Sequence, residues 1–140
     1  MIEKWFFDSN VWLYLLLEKD SKKSLTAKTY IESGVLRNQV IISWQVLNEV
    51  SANLLKKGFT EQQVLATIKW LCRIATVQDF TEEMLQNASF LRQKHSISFW
   101  DSLIVAAALE SNCKFLISED MQDGQKIANL TIRNIFADTY

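Results

Sequence analysis

The stretch SFWDSLIVAAALESNCKFLISED, residues 98–120, joins a helical pattern to a strand pattern and decides the fold class. Ser98 can cap a helix that runs through FWDSLIVAAALES, and this helix is apolar on almost every side. Such a helix is expected to be buried against other elements. The run from Lys114 to Ser118 has the length and composition of a strand. We therefore predict helices packed against a sheet.

The rest of the chain alternates between short strand-like runs and longer helical patterns, which is typical of an α/β domain around a largely parallel sheet. A helix with an apolar face is predicted over 25–36, and the face is formed by Ala27, Tyr30, Ile31 and Val35. The other predicted helices, caps included, cover 9–18, 43–57, 60–74, 81–94 and 98–111, and the predicted strands cover 2–7, 39–42, 75–78, 114–118 and 131–136. There is no proline, linker or internal repeat, so we predict one domain over residues 1–140.

Composition excludes several classes of protein. The 140 residues are 49% hydrophobic and 22% charged, as in an ordinary globular domain. A net charge of -1 argues against a protein that coats nucleic acid by bulk electrostatics, but it does not exclude a nuclease. The single histidine, His95, rules out a ribonuclease that uses paired histidines and is expected at a helix end. A hydrolase built from this chain has to rely on carboxylates and metal ions.

The cysteines and the N-terminal residues indicate a cytoplasmic protein. Cys72 and Cys113 each lie alone in an apolar run, so we expect two buried free thiols and neither a zinc site nor a disulfide. The N-terminal MIEKWFF lacks the apolar core of a signal peptide, and no run approaches the roughly 18 apolar residues of a membrane span.

Two acids follow predicted strands. Asp8 comes directly after the first strand, and Asp120 follows the strand at 114–118 with Glu119 between. Ligands of open α/β sheets bind at the carboxyl ends of strands, so both acids are candidate metal ligands. Asp8 fits a helix N-cap equally well, and the run EDMQDG around Asp120 and Asp123 fits a polar turn.

Two further acids lie on predicted helices. Asp101 precedes Ile104, Val105 and Ala108 on the apolar helix, and a carboxylate buried there is costly unless it is paired or binds a cation. Glu49 flanks the apolar face of its helix and, taken alone, fits a solvated surface residue. Acids at strand ends and on a buried helix, without histidine or paired cysteine, indicate oxygen-liganded ions such as Mg²⁺ or Mn²⁺.

Taken together, the segments FFDSNVWLY, SWQVLNEV, FWDSLIVAAALE and FLISED resemble the PIN-domain family, and within it the VapC-type toxins of bacterial toxin–antitoxin pairs. Their order and spacing match that family over nearly the whole chain. The resemblance implies a three-layer α/β domain with a mostly parallel central sheet flanked by helices. It also implies an endoribonuclease that needs Mg²⁺ or Mn²⁺ and hydrolyses RNA phosphodiester bonds.

The resemblance also assigns residues and partners. Asp8, Asp101 and Asp120 match the metal-binding acids, and Glu49 completes the catalytic set. Ser9, and Ser118 where many members have threonine, would be hydroxyl supports for the site. A cognate antitoxin and homodimerisation are implied in the same way, and no membrane partner is expected.

The sequence alone leaves other functions and roles open. The alternatives are a non-catalytic PIN module that binds RNA or a protein, and a nuclease specific for DNA or for a nucleic-acid structure. Trp12 and Trp44 adjoin the first two motifs and are expected in the core, with base stacking or a partner groove as the alternative. The basic residues near the expected site are not assigned to RNA: Lys22, Lys23, Lys56, Lys57, Arg92 and Lys94.

Overall fold

The structure is a computed structural model that describes residues 2–37 and 39–137. The predicted domain span, 1–140, includes residues that lie outside this description. The described chain forms these elements in order: β1 (Lys4–Phe7), α1 (Ser9–Leu17), α2 (Lys22–Arg37), β2 (Gln39–Ser43), α3 (Trp44–Lys56), α4 (Glu61–Ile74), β3 (Thr76–Gln78), α5 (Glu82–Lys94), α6 (Phe99–Glu110), β4 (Phe115–Ile117), β5 (Lys126–Ile127) and β6 (Leu130–Arg133).

The strands form one sheet in the order β3-β2-β1-β4-β6-β5. All neighbouring strands are parallel except β5 and β6, which pair antiparallel. β1 and β4 lie side by side at the centre, with Phe7 opposite Ile117. The carboxyl ends of these two strands therefore meet at one edge, where the chain continues into Asp8 and Ser118.

Both faces of the sheet are covered. Consecutive residues of a strand point to opposite faces, and Phe6 and Phe7 in β1 are both fully buried. The same holds for Leu116 and Ile117 in β4. Helices must therefore cover the sheet on both sides, which confirms the three-layer α/β arrangement with a mostly parallel sheet.

Helix α6 is the buried helix that its composition predicts. Every residue from Ser102 to Ala108 is buried, and the helix packs against α5, β2 and β4. Ser98 caps it, accepting a hydrogen bond from the Asp101 backbone N–H. Its N-terminus thereby places Asp101 beside the sheet edge where β1 and β4 end.

The predicted caps of the middle helices are confirmed. Ser43 caps α3, and Gly58 follows that helix with a φ of 92°, a left-handed conformation that glycine adopts without strain. Thr60 and Gln63 form the predicted capping box at the start of α4.

Helix α2 lies very close to the sheet at Gly34. A Cβ atom built at this position would be 3.0 Å from Val40 Cγ2 and 3.2 Å from Phe7 Cε2. The side chains of Val40 and Phe7 thus occupy the space that a larger residue would need. The absence of a side chain at Gly34 lets α2 approach β1 and β2 this closely.

Two residues of helices α2 and α4 that were predicted to be buried are exposed. The buried face of α2 passes through Ile31 and Gly34, so Val35, about 100° further round the helix, faces solvent. Leu71 is fully buried in α4, and the next residue, Cys72, is exposed for the same reason. The prediction of two buried thiols is therefore correct for Cys113 and wrong for Cys72.

The end of the sheet also differs from the prediction. The last strand begins at Leu130 and ends at Arg133, short of the expected Phe136. Strand β5 was not predicted, because it has only two residues and turns into β6 through Ala128 at a φ of 52° without a glycine. Every helix in the described part of the chain is too short or too polar to traverse a lipid bilayer.

Candidate functional site

Asp8 lies where β1 turns into α1 and is the N-cap of that helix. Its Oδ1 accepts a hydrogen bond of 2.7 Å from the Ser9 backbone N–H, and its Oδ2 accepts one of 2.8 Å from the Ser118 hydroxyl. The side chain is buried, with only 4% of the residue exposed. The cap and the strand-end position thus coincide in one residue, and the cap does not exclude a metal-binding role.

Burial makes the ionised form of Asp8 unfavourable. Desolvation raises the pKa of its carboxyl group to about 7, against the lowering effect of the hydrogen bonds from Ser118 and Ser9. The negative charges of Glu49 and Asp120 raise this pKa as well. With a pKa of about 7, the Asp8 carboxyl group keeps its proton at a pH where an ordinary aspartate is fully ionised.

Glu49 reaches the same region from α3. Its Oε2 accepts a hydrogen bond of 3.0 Å from the Ser9 hydroxyl, and its Oε1 accepts one of 2.9 Å from Gln45 Nε2. The residue is half-buried. Ser9 therefore connects Asp8, through its backbone N–H, with Glu49, through its hydroxyl.

Asp101 lies in the first turn of α6 and is half-buried. Desolvation raises the pKa of its carboxyl group, the hydrogen bond with Ser98 lowers it, and the charges of Asp120 and Glu49 raise it. The sequence predicted a carboxylate buried on an apolar helix. Ile104, Val105 and Ala108 are indeed buried, but Asp101 itself is only half-buried.

Asp120 is exposed and follows β4 on a loop. Asn10 Nδ2 donates a hydrogen bond of 3.1 Å to Asp120 Oδ2, and the Asp120 backbone N–H donates one of 3.2 Å to Ser118 Oγ. Ser118 is fully buried and also donates to Asp8, so its hydroxyl joins the ends of β1 and β4.

The structure brings the four predicted acids together at one edge of the sheet. After burial, the charges of Glu49 and Asp120 are what raise the pKa values of Asp8 and Asp101. Neither ion pair found among the described residues involves any of the four acids. The site therefore concentrates negative charge, although no three acidic, histidine or cysteine side chains in the described ranges lie close enough to form a ready-made metal cage.

Glu119 and Asp123, the other two acids of the EDMQDG turn, form contacts within the molecule. Glu119 Oε2 forms an ion pair of 2.7 Å with Lys23 Nζ, and Glu119 Oε1 accepts a hydrogen bond from the Tyr14 hydroxyl. Asp123 Oδ1 accepts a hydrogen bond of 2.9 Å from the Asn134 backbone N–H. Glu119 and Asp123 therefore bind residues outside the set of four acids, whereas Asp120 binds Asn10 beside Asp8.

Asn10 is a residue of the site that was not predicted from the sequence. It contacts Ser118 Oγ at 3.4 Å in addition to Asp120, and its Oδ1 accepts a hydrogen bond of 3.3 Å from the Glu119 backbone N–H. Its position two residues after a strand-end aspartate was the available signal. That signal is weak, since a polar residue in the first turn of a helix needs no special role.

An apolar surface adjoins Glu49, and we call it the aromatic cleft. Its volume is about 710 Å³, and its apolar lining residues are Trp44, Phe80, Leu85, Trp100 and Leu103. Trp44 is 48% exposed and Trp100 is 64% exposed. The expectation of a core position is therefore correct for Trp12, which is fully buried, and wrong for Trp44.

A second groove, of about 1030 Å³, is lined in part by Asn10, Glu119 and Asp120. Its apolar wall includes three leucines of α1, and Lys57 lies in its lining. Two other basic residues near the site bind within the molecule: Lys23 pairs with Glu119, and Arg92 donates a hydrogen bond of 2.7 Å to the Ser102 hydroxyl. Because both side chains are bound within the molecule, we do not assign Lys23 or Arg92 a role in substrate binding.

Comparison with known proteins agrees with the fold described above. The sequence matches the PIN domain over residues 5–126, which is most of the chain. No curated protein sequence matches it.

Several solved structures share the fold. A toxin–antitoxin complex from Klebsiella pneumoniae aligns with a TM-score of 0.70 at 21% identity, over 90% of this chain and 94% of that one. VapBC2 from Rickettsia felis, solved bound to a DNA fragment from its promoter, aligns with a TM-score of 0.71 at 19% identity, over 94% and 98%. VapC20 from Mycobacterium tuberculosis, a toxin that cleaves the sarcin-ricin loop, aligns with a TM-score of 0.67 at 22% identity, over 83% and 91%. At these sequence identities the structural similarity establishes a shared fold and nothing further.

Proposed function

The chain belongs to the PIN domain family, and from that premise we propose that it is a divalent-metal-dependent endoribonuclease that hydrolyses RNA phosphodiester bonds. The observation that carries the proposal is the cluster of four carboxylates at the carboxyl ends of β1 and β4 and on the flanking helices. Burial, and then the charges of Glu49 and Asp120, raise the pKa values of Asp8 and Asp101, and none of the four acids has a lysine or arginine partner in the ion pairs of the described chain. A bound cation would relieve that repulsion.

The donor set suits Mg²⁺ or Mn²⁺. All the side-chain donors are oxygens, and Mg²⁺ typically binds through one or two carboxylates while it keeps several waters. A site without a preformed three-acid cage is compatible with this way of binding. Asp8, Asp101 and Asp120 would hold the ion, either directly or through its waters, and Glu49, fixed by Ser9 and Gln45, would orient water or a second ion.

Each residue contributes a defined part of the chemistry. A divalent ion supplies charge neutralisation at the scissile phosphate and activation of water. The hydroxyls of Ser9 and Ser118 hold Glu49 and Asp8 in place without adding charge. Asp8 would have to be ionised to bind a cation, and because its pKa is raised to about 7, cation binding should depend on pH.

We also assign the chain to a VapBC-type toxin–antitoxin pair, acting as the toxin in the cytoplasm and as a homodimer. The support is the fold shared with VapC toxins, including structures solved as toxin–antitoxin complexes. The groove of about 1030 Å³, which Asp120 lines in part, offers room for an antitoxin segment beside that acid. The aromatic cleft offers an apolar surface for a second copy of the chain.

Cleavage assays test the enzymatic proposal. We expect the wild-type chain to cut single-stranded RNA with Mg²⁺ or Mn²⁺ and to stop when EDTA is added. Asp101→Asn should lower the cleavage rate by about 100-fold or more, since changes even to residues around metal ligands cost 10–100-fold. Asp123→Asn is the matched control, because Asp123 lies in the same loop region as Asp120 but binds the Asn134 backbone, and it should retain wild-type cleavage.

The same variants separate the alternative functions. Binding of RNA or protein without cleavage by the wild type would identify a non-catalytic PIN module, and cleavage of DNA but not RNA would identify a different nuclease. In bacteria, induction of the wild type should arrest growth while Asp101→Asn does not, and co-expression of a small protein encoded beside the gene should restore growth. Growth arrest by Asp101→Asn would contradict a toxin that acts through this site.

A further inference from the structure

We call the region of Asp8, Glu49, Asp101 and Asp120 the acidic site. Asn10 connects the ends of the two central strands at this site. It is the second residue of α1, so it follows the end of β1, and all its side-chain partners belong to the segment after β4. Nδ2 donates to Asp120 Oδ2 at 3.1 Å and contacts Ser118 Oγ at 3.4 Å, while Oδ1 accepts from the Glu119 backbone N–H at 3.3 Å. The amide therefore holds three consecutive residues from one side.

Asp120 is the acid that most needs such a support. Asp8 is buried at a helix cap, and Glu49 and Asp101 lie on helices whose backbone fixes the side-chain direction. Asp120 is exposed and lies beyond the last residue of β4, Ile117, outside the sheet hydrogen bonds. Its placement depends on local side-chain contacts, and the Asn10 amide binds its carboxylate directly.

Glu119, the residue before Asp120, is held by contacts of both its side chain and its backbone. The Glu119 carboxylate binds Lys23 and Tyr14, while its backbone N–H donates to Asn10. The loop is thus fixed at adjacent residues by two different sets of contacts. The Lys23 and Tyr14 contacts hold the Glu119 side chain, whereas the Asn10 contacts hold the Glu119 backbone N–H and orient the Asp120 carboxylate.

An amide is chemically suited to this role. It donates a hydrogen bond to a carboxylate but leaves the negative charge in place, whereas a lysine or arginine would neutralise that charge and compete with a cation. An ionised carboxylate has about four lone-pair positions, so one hydrogen bond at Oδ2 leaves acceptor capacity for a metal ion.

We propose that Asn10 is a positioning residue that orients Asp120 toward the acidic site and thereby sets the affinity of that site for a divalent cation. The inference rests on the proposed function in one respect, namely that Asp120 is a metal ligand. It assigns Asn10 no contact with the substrate.

Two variants test the role, and both are measured with Mn²⁺ alone as well as with RNA. Asn10→Ala removes all three contacts, and Asn10→Asp keeps the shape but replaces the donor with a further carboxylate. We expect titration calorimetry to show Mn²⁺ binding weakened about 10-fold in both variants, at the lower end of the range for residues that orient metal ligands. Asn87→Ala, which changes an exposed asparagine on α5, should bind Mn²⁺ as the wild type does.

Two further readouts distinguish positioning from general destabilisation. Hydrogen exchange at the Glu119 amide should accelerate in metal-free Asn10→Ala, because that amide loses its acceptor. In cleavage assays, the Mn²⁺ concentration for half-maximal rate should rise about 10-fold, in line with the lost affinity. KM for RNA at saturating Mn²⁺ should stay unchanged.

The outcomes separate this proposal from the proposed function. Faster exchange at the Glu119 amide with wild-type Mn²⁺ affinity would show that Asn10 only supports the loop, and it would overturn the positioning role. Mn²⁺ binding by the wild type without cleavage of RNA would overturn the ribonuclease assignment. A 10-fold weaker Mn²⁺ affinity in Asn10→Ala would still support Asn10 as a positioning residue.

Discussion

At the scale of single residues, the Asp8 carboxyl group serves two parts of the structure at once. It caps α1, and it accepts the Ser118 hydroxyl from the end of β4. Burial raises its pKa to about 7 from the ordinary 3.8. An acid placed in this way stabilises the fold when it is protonated and destabilises the fold when it is ionised and has no cation beside it.

Asp8→Asn should therefore stabilise the metal-free protein at alkaline pH. The folded chain keeps the Asp8 proton between pH 3.8 and about 7 while the unfolded chain loses it. The stability that this proton contributes is fully present below pH 3.8 and is lost as the pH rises to about 7. One pKa unit is worth about 1.4 kcal/mol, so the ionised group costs up to about 4 kcal/mol.

We expect urea denaturation in EDTA at pH 8 to show Asp8→Asn more stable than the wild type by about 2 kcal/mol, because the amide recovers part of that cost. The gain should be smaller at pH 5. Asp20→Asn is the control, since Asp20 lies outside the acidic site and has a φ of 67°, which asparagine also tolerates. A destabilised Asp8→Asn at pH 8 would contradict the unfavourable ionisation of Asp8.

Single residues also show how far the sequence predicts the site. Asp8 and Asp120 could be proposed as site residues because they follow strands, and the carboxyl ends of strands are where open α/β sheets bind ligands. Asn10 could not be proposed in this way, since a polar residue in a first helical turn needs no special role. Trp12 and Trp44 look alike in sequence, yet one is buried and the other exposed, because exposure depends on which helices pack against each face.

At the scale of elements, the contact between α2 and the sheet depends on Gly34. Alanine at this position would gain about 0.5–1 kcal/mol of helical stability. Its methyl group would meet Val40 and Phe7 at 3.0–3.2 Å, and overpacking of this kind costs about 1–3 kcal/mol. Both contacts belong to buried side chains of β1 and β2, which have little room to move.

Gly34→Ala should therefore lower the free energy of unfolding by about 1 kcal/mol, or the Tm by about 3 °C. Differential scanning calorimetry in EDTA measures the change. Glu32→Ala, an exposed position on the same helix, should stay within about 0.5 kcal/mol of the wild type. A Gly34→Ala protein more stable than the wild type would show that α2 can move away from the sheet without loss.

Elements with strong local signals were predictable, and those held by tertiary contacts were not. The capping box at Thr60 and the glycine after α3 mark helix ends by their own chemistry, and both are confirmed. The start of α2 was placed three residues too late, since Lys22 carries no such signal. Strand β5 exists through its pairing with β6, and a two-residue strand has no pattern of its own.

At the scale of the whole molecule, the aromatic cleft is an apolar surface of the kind that marks contacts between proteins. We expect light scattering after size exclusion to give a mass about twice the 16.2 kDa of one chain. Leu85→Asp should yield a monomer, because Leu85 is 50% exposed in the cleft and a buried unpaired charge opposes association.

Phe90→Asp is the matched control for this prediction. Phe90 lies on the same helix, α5, and is 66% exposed, but it lines a different cavity. This variant should keep the mass of the wild type. A wild-type chain that stays monomeric at high concentration would rule out the homodimer, and a monomeric Phe90→Asp would place the interface on another face.

The topology of the sheet limits how copies of the chain can associate. In the described part of the molecule the sheet ends in β3, with three residues, and in β5, with two, and Lys126 lies on the latter edge. Short edge strands and an edge lysine offer few unpaired backbone groups to an incoming strand. Fibril growth by strand addition is thereby disfavoured, and association through helical faces, which leaves the central sheet intact, is favoured over it.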